Sequence, residues 1–246
     1  MYRPALAFVI LLARSTSVAG PPLAIDDPGI LDPGQLEIIA AVTSTKTSAG
    51  DLWQLPLIDI SLGVIEDHLQ VGVAFSRVHV HPDDGNSESD TNNPAVALKW
   101  RFVNSGKLQM SFAPYYVFGV SRSAESIGIG DSADVAVFPV NAEYGVNEKW
   151  RLNGEVSYVR VQGDEAQWFY GAAVGYAANS RWDLLFEVAG TSDSTFNADF
   201  VEVRAGFDAS LSESFHLLFS MASDLRQARG EDELDLNVFL GVQYLR

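Results

Sequence analysis

The side chains best placed to do chemistry are charged ones set into alternating apolar and polar runs. They are Lys99, Arg101, Glu143, Arg151, Glu155, Glu187, Glu202, Arg204 and Asp235. Successive side chains of an extended strand point to opposite faces, so each of these shares a polar face with its i±2 neighbours. Mixed charges on one side of a closed sheet can do two things. They can line a water-filled passage that sorts solutes by charge and size, or pair with one another and stiffen the interior. Pairing is the expectation for most of them, because Lys or Arg turned to lipid would cost about 2–4 kcal/mol at the bilayer midplane.

His79 and His81 share one face of a strand and stand beside Asp83, Asp84, Glu88 and Asp90. Such a pair could bind a divalent cation, but the sequence fixes no third ligand. The expectation is a solvated loop base, with no metal and no cofactor. His216 and Ser220 also share a face, yet four residues of strand separate them by about 13 Å. That is far beyond the contact a nucleophile and its base require. Gly-X-Ser-X-Gly, phosphate-loop and His-Glu-X-X-His motifs are missing from the sequence. The expectation is therefore no enzyme, with an outer-membrane hydrolase as the weakest alternative.

The elements that must carry these residues are strands. Alternation is clearest at Val96–Phe102, Leu108–Phe118, Trp150–Tyr158, Trp182–Val188, Val201–Phe207 and Phe215–Met221. Leu234, Leu236, Val238, Leu240, Val242 and Tyr244 form a terminal amphipathic strand able to close a sheet. About twelve strands are predicted: 35–45, 53–64, 68–79, 94–103, 107–121, 133–146, 150–162, 166–178, 181–191, 199–209, 213–224 and 233–245. Tight turns at 66–67, 103–106, 147–148, 178–180 and 210–212 alternate with longer polar loops at 46–52, 80–93, 122–132, 191–198 and 225–232; the link at 163–165 joins the second set but is short. Long strands with short turns at one end and longer loops at the other describe an outer-membrane barrel. Trp100, Trp150, Trp182, Phe215 and Tyr244 fall at the short-turn end and predict an interface girdle. Pro56, Pro114 and Pro139 lie inside predicted strands and should mark bulges or strand ends. The competing arrangement is a soluble barrel or sandwich with these aromatics in its core.

Composition agrees with export to a membrane. Formal net charge is −16 and there is no cysteine. An acidic surface repels phosphate backbones, which argues against nucleic acid. A disulfide framework and thiolate metal sites are excluded. Arg3, the apolar run Ala5–Ala13 and Ser17-Val18-Ala19 read as a signal peptide over 1–19. The remainder, 20–246, reads as one barrel, with 20–34 either a periplasmic segment or a plug.

Several segments resemble a family of Gram-negative outer-membrane barrels described as transporters and linked to the meta-cleavage pathway of phenol degradation. They are Pro21-Pro22 with Asp26-Asp27-Pro28-Gly29, then Gly34 and Glu37, Pro56 and Asp59, Lys99-Trp100-Arg101-Phe102, His216–Ser220 and Leu240–Gln243. Asn92-Asn93-Pro94 stands where that family carries Gly-Leu-Gly-Asp; the nearest analogue, Gly128–Asp131, comes later. The resemblance implies an all-β, transmembrane, antiparallel up-and-down barrel in a Gram-negative outer membrane. It also implies passive passage of a small solute, aromatic or apolar. The expected partners are outer-membrane lipid, lipopolysaccharide and that solute. A non-transporting structural or surface barrel is the alternative, and the oligomeric state is open.

Overall fold

In lipid, every strand needs a hydrogen-bonded neighbour on both sides, and the alternating runs meet this requirement by closing a sheet. The computed structural model describes residues 20–47, 50–82, 85, 87–119, 133–194, 196, 198–227 and 234–246. The strands are β1 (Leu36–Thr47), β2 (Gly50–Ile65), β3 (Leu69–Pro82), β4 (Glu88–Thr91), β5 (Ala95–Ser105), β6 (Leu108–Phe112), β7 (Tyr115–Val117), β8 (Val135–Gly145), β9 (Trp150–Val161), β10 (Gln167–Asn179), β11 (Trp182–Asp193), β12 (Ala198–Ser210), β13 (Phe215–Gln227) and β14 (Leu234–Leu245). All pairings are antiparallel, and β1 pairs with both β2 and β14, which closes the barrel. β6 and β7 share one place between β5 and β8, while β4 only extends the outer end of β3. Twelve strands therefore make the wall.

The apolar faces point outward. Phe186 is 52% exposed while its neighbour Glu187 is fully buried, and the contrast decides which side is the lumen. Leu152, Val156, Leu184, Leu217, Phe219, Val238 and Leu240 belong to the same outer surface; the exposed large side chains of this surface make an apolar belt. An aromatic ring bounds it at the short-turn end. Trp150 contacts Tyr176 at 4.6 Å, Trp182 contacts Phe207 at 5.0 Å, Phe215 contacts Tyr244 at 5.0 Å and Trp100 contacts Phe102 at 5.6 Å. A second ring, with Trp53, Tyr116, Phe118, Phe138, Tyr158 and Trp168, lies toward the opposite end.

Details depart from the sequence reading. β1 and β2 continue to Thr47 and Gly50 and take in the described part of the expected loop 46–52; residues 48–49 lie outside the described residues. The expected signal peptide and the loop 122–132 lie outside the described residues. Pro56 falls at the register shift between Gln54 and Leu57, and Pro114 separates β6 from β7. Pro139 marks neither a bulge nor an end. Its carbonyl accepts from Ala113 N at 3.0 Å, so its missing N–H faces the break between β6 and β7, where the ladder is already interrupted.

Asp235 is a further correction. Thr47 opposes Leu234 and Lys46 opposes Leu236, which leaves Asp235 as the extra residue of a bulge. The bulge inverts the alternation, so Leu234 is buried and Asp235 is exposed at the outer rim rather than lining the lumen.

Leu240→Arg places a charge on the lipid face in mid-strand. We expect it to lower the unfolding free energy by about 2–4 kcal/mol in urea titrations of the protein in lipid vesicles. A loss below about 0.5 kcal/mol would place this face in water.

Candidate functional site

The lumen is crossed by the chain's own residues 20–34. Gly34, with φ of +81°, turns the chain at the inner end. Gly34 N donates to Gly63 O at 2.9 Å and Gly63 N to Gln35 O at 3.0 Å, which pins the turn to β2. Gly63 is obligatory here, because a Cβ would lie 2.0 Å from Asp32 O. From that hinge the segment, called the strap below, runs back up inside the barrel. Leu31 N donates to Gln70 Oε1 of β3 at 3.1 Å.

The strap's polar backbone is met by wall carboxylates. Ile25 N donates to Glu187 Oε2 at 2.9 Å, and Ala24 N reaches the same oxygen at 3.0 Å. Asp26 N donates to Glu155 Oε2 at 2.7 Å. Lys99 Nζ donates to Asp26 Oδ1 at 2.8 Å and to Asp27 O at 3.0 Å. Ser220 Oγ donates to Pro22 O at 2.5 Å. The strap is thus seated on β3, β5, β9, β11 and β13, by groups that alternation alone aimed inward. Burial pushes the Asp26 carboxyl up to about 7, while the Lys99 ammonium pulls the other way.

The remaining charged candidates pair along the wall. Arg204 Nη2 reaches Glu202 Oε1 at 3.1 Å, and its Nε stands 3.6 Å from Glu187 Oε1. Arg204 Nη1 also donates to Asn237 Oδ1 at 3.0 Å and Ser220 Oγ at 3.2 Å. Arg151 pairs with Asp183 at 2.8 Å, and Arg101 pairs with Asp67 and donates to Gln109. Glu143 is half-buried at the inner end, opposite Gln109 and Asn153. Lys99, Glu155, Glu187 and Arg204 therefore converge at the strap, whereas Arg101, Glu143 and Arg151 stand at the inner mouth.

His216 Nδ1 lies 2.8 Å from Asp208 Oδ1, while Ser220 is engaged by the strap and Arg204; the two do not meet as a nucleophile and base. His79 and His81 lie on the outer wall, and no group of three or more metal-ligating side chains occurs among the described residues.

One feature escaped the sequence reading. Part of the lumen lining is apolar: Val117, Val135, Val137, Val159, Val161 and Phe169 form one buried cluster with Ile25 of the strap. The stretch Val135–Val140 of β8 and most of β10 are apolar on both faces, so alternation there gives no sign of which side is wet. The glycine at 171 makes room for this contact: a Cβ there would lie 2.4 Å from Ile25 Cγ2.

No family model matches the chain, and no curated protein matches it. Solved structures do. The COG4313 outer membrane channel from Pseudomonas putida F1 superposes with a TM-score of 0.70 at 12% identity, over 89% of this chain and 98% of that one. This chain has the fold of a twelve-stranded outer-membrane barrel. The KdgM porin, solved in complex with disordered oligogalacturonate, gives 0.58 at 7% identity, over 84% and 98%. The toluene transporter TbuX from Ralstonia pickettii gives 0.50 at 8% identity, over 87% and 90%. A sugar acid and an aromatic hydrocarbon are named in these two structures, so the shared fold leaves the solute of this chain to its own lumen.

The ion pair predicts how the strap is held. Since the chain has no cysteine, Ile25→Cys gives a single labelling site. We expect slow maleimide labelling in the folded barrel, and labelling at least about tenfold faster when Lys99→Met is added, since breaking a buried pair costs about 3–5 kcal/mol. Equal rates would mean that the strap is held without Lys99.

Proposed function

We propose that this protein is an outer-membrane channel for passive passage of a small solute with an apolar or aromatic body, and that the strap sets its resting conductance. The observation that carries the reading is the mixed lining of the lumen, in which apolar clusters stand beside buried polar side chains. The apolar wall around Ile25 offers a surface for the body of such a solute. The wall across from it is mixed: Thr43, Thr45, Gln54, Ser76, Ser220 and Asn237 are buried there beside a second apolar cluster of Ile39, Ala41, Leu57, Leu218 and Phe239. Gln54 Nε2 and Ser76 Oγ are buried without a protein partner, so that wall keeps hydrogen-bonding capacity in reserve. A purely hydrophilic pore has no use for the apolar clusters, and a bare hydrophobic tunnel has none for the buried polar groups. The likeness to channel and porin folds supports the same reading.

A closed barrel with a structural or surface role is the second reading, favoured by the buried ion pairs that seat the strap. Planar-bilayer recording and liposome swelling separate the two. We expect small conductance from the wild type and at least a severalfold rise for Lys99→Met and Glu187→Gln, with phenol entering vesicles faster than a sugar of similar mass. Silence in both assays, for wild type and variants alike, would support the structural barrel and remove the channel reading.

A further inference from the structure

Among the described residues, the Lys and Arg side chains divide by height. Lys99, Arg101, Arg151 and Arg204 face the lumen. Lys107, Lys149, Arg181 and Arg246 sit at the inner turns or terminus, and Lys46, Arg77, Arg160 and Arg226 sit near the outer end. Outside the lumen, then, cations are kept to the two ends. In a chain of net charge −16, those at the outer end stand out from an acidic background.

Two of these four, Lys46 of β1 and Arg77 of β3, stand beside His79 and His81. Up the outer face of β3 the side chains run Val71, Val73, Phe75, and then Arg77, His79 and His81. Neighbouring strands supply the rest of the patch. Lys46 of β1 opposes Asp51 of β2, which opposes His81; Trp53 opposes His79. Arg77 Nη2 donates to Ser89 Oγ of β4 at 2.9 Å, which fixes the guanidinium against the wall. Asp51 is the carboxylate in the rows of β1 to β3, and Asp235 of β14 lies exposed beside Lys46. Glu88 and Asp90 of β4 oppose Val80 and Val78, so they face the other way.

The height of the patch decides what it meets. Leu69 opposes Trp100, at the inner aromatic ring. Ten residues of strand from there to His79, at a tilt of about 40°, rise about 26 Å, which matches an apolar band about 25 Å tall. Arg77 thus lies just within the outer edge of the band, where a long side chain reaches up to the interface, and His79, His81 and Lys46 lie at or above it. An aromatic ring, Trp53, stands in the same row, as at membrane interfaces generally.

The geometry points to a docking site on the outer wall, formed by Lys46, Arg77, His79, His81 and Trp53, for the phosphorylated headgroup of an outer-leaflet glycolipid of the lipopolysaccharide type. A guanidinium and an ammonium supply charge-assisted donors to phosphate oxygens, and the imidazoles supply further N–H groups. Phe75 and Val73 below offer an apolar track for the acyl chains. The site rests on the outer-membrane fold and not on conduction, so it stands or falls apart from the channel reading.

The test is native mass spectrometry of the detergent-refolded barrel with bis-phosphorylated lipid A, dephosphorylated lipid A or inorganic phosphate. We expect retained adducts of the phosphorylated lipid alone. Lys46→Gln combined with Arg77→Gln should reduce them about tenfold or more, while Arg77→Lys keeps most of them. Arg160→Gln, on the distant β9, should change nothing. Heat-modifiable migration on gels checks folding for each variant, and His81→Gln provides a milder probe should the double variant fail to fold. Equal retention of dephosphorylated lipid, binding of free phosphate in place of the lipid, or full retention by the double variant would overturn the site.

Discussion

Everything in this molecule depends on the pairing of β1 with β14. A backbone group without a partner in hydrocarbon costs several kcal/mol, and an open sheet would present two whole edges of them. Closure from Glu37 opposite Leu245 to Thr47 opposite Leu234 removes both edges at once. It also defines an inside. Once the sheet is a tube, every second residue of each strand faces a confined space, and mixed charges such as Glu155, Glu187, Lys99 and Arg204 have no bulk solvent to retreat into. They need partners, and the strap supplies several of them.

The strap and the wall solve each other's problem. A short segment inside a barrel has exposed amides that no sheet completes. Wall carboxylates at Glu155 and Glu187 accept from those amides, and Lys99 neutralises the carboxylate that the strap brings in at Asp26. Arg204 then balances Glu187 and Glu202 from the far side. The luminal charges are therefore neither a bare pore lining nor wall-to-wall pairs alone. They are a network in which the strap is a member, so luminal electrostatics and occlusion cannot be altered separately.

Much of this was legible in the sequence because period-two alternation is a direct record of which residues face lipid. The strand spans, the alternation of short turns with longer links, and the aromatic ends all rest on it. What it could not give follows from the same rule. Val135 and Val137 sit in a stretch of β8 that is apolar on both faces, and Val159 and Val161 follow the polar run Arg151, Asn153, Glu155 and Ser157 on the inner face of β9, so this apolar part of the lumen left no clear periodic trace. Asp235 departs from the pattern of its strand because a single bulge residue inverts the alternation beyond it. Pro139 sits within an unbroken strand because its missing donor matters only if a partner strand is there to receive it, and that depends on the break at Pro114 across the sheet. The strap's position depends on contacts between residues more than a hundred apart, such as Asp26 with Glu155, which no local pattern encodes.

The hinge at Gly34 has a consequence of a different kind. The strap is bonded to the barrel at its inner end, so an undocked strap does not diffuse away. It stays beside the lumen at an effective concentration on the order of millimolar, as a short tether dictates. Any molecule that occupies the apolar wall must displace Ile25 in competition with an opponent that is always present and never diluted. Occupancy of the lumen would then be set by the ratio of a solute's own attraction for that wall to this fixed internal competitor. Weakly apolar solutes at low concentration would lose that contest, while the barrel wall need not change shape at all.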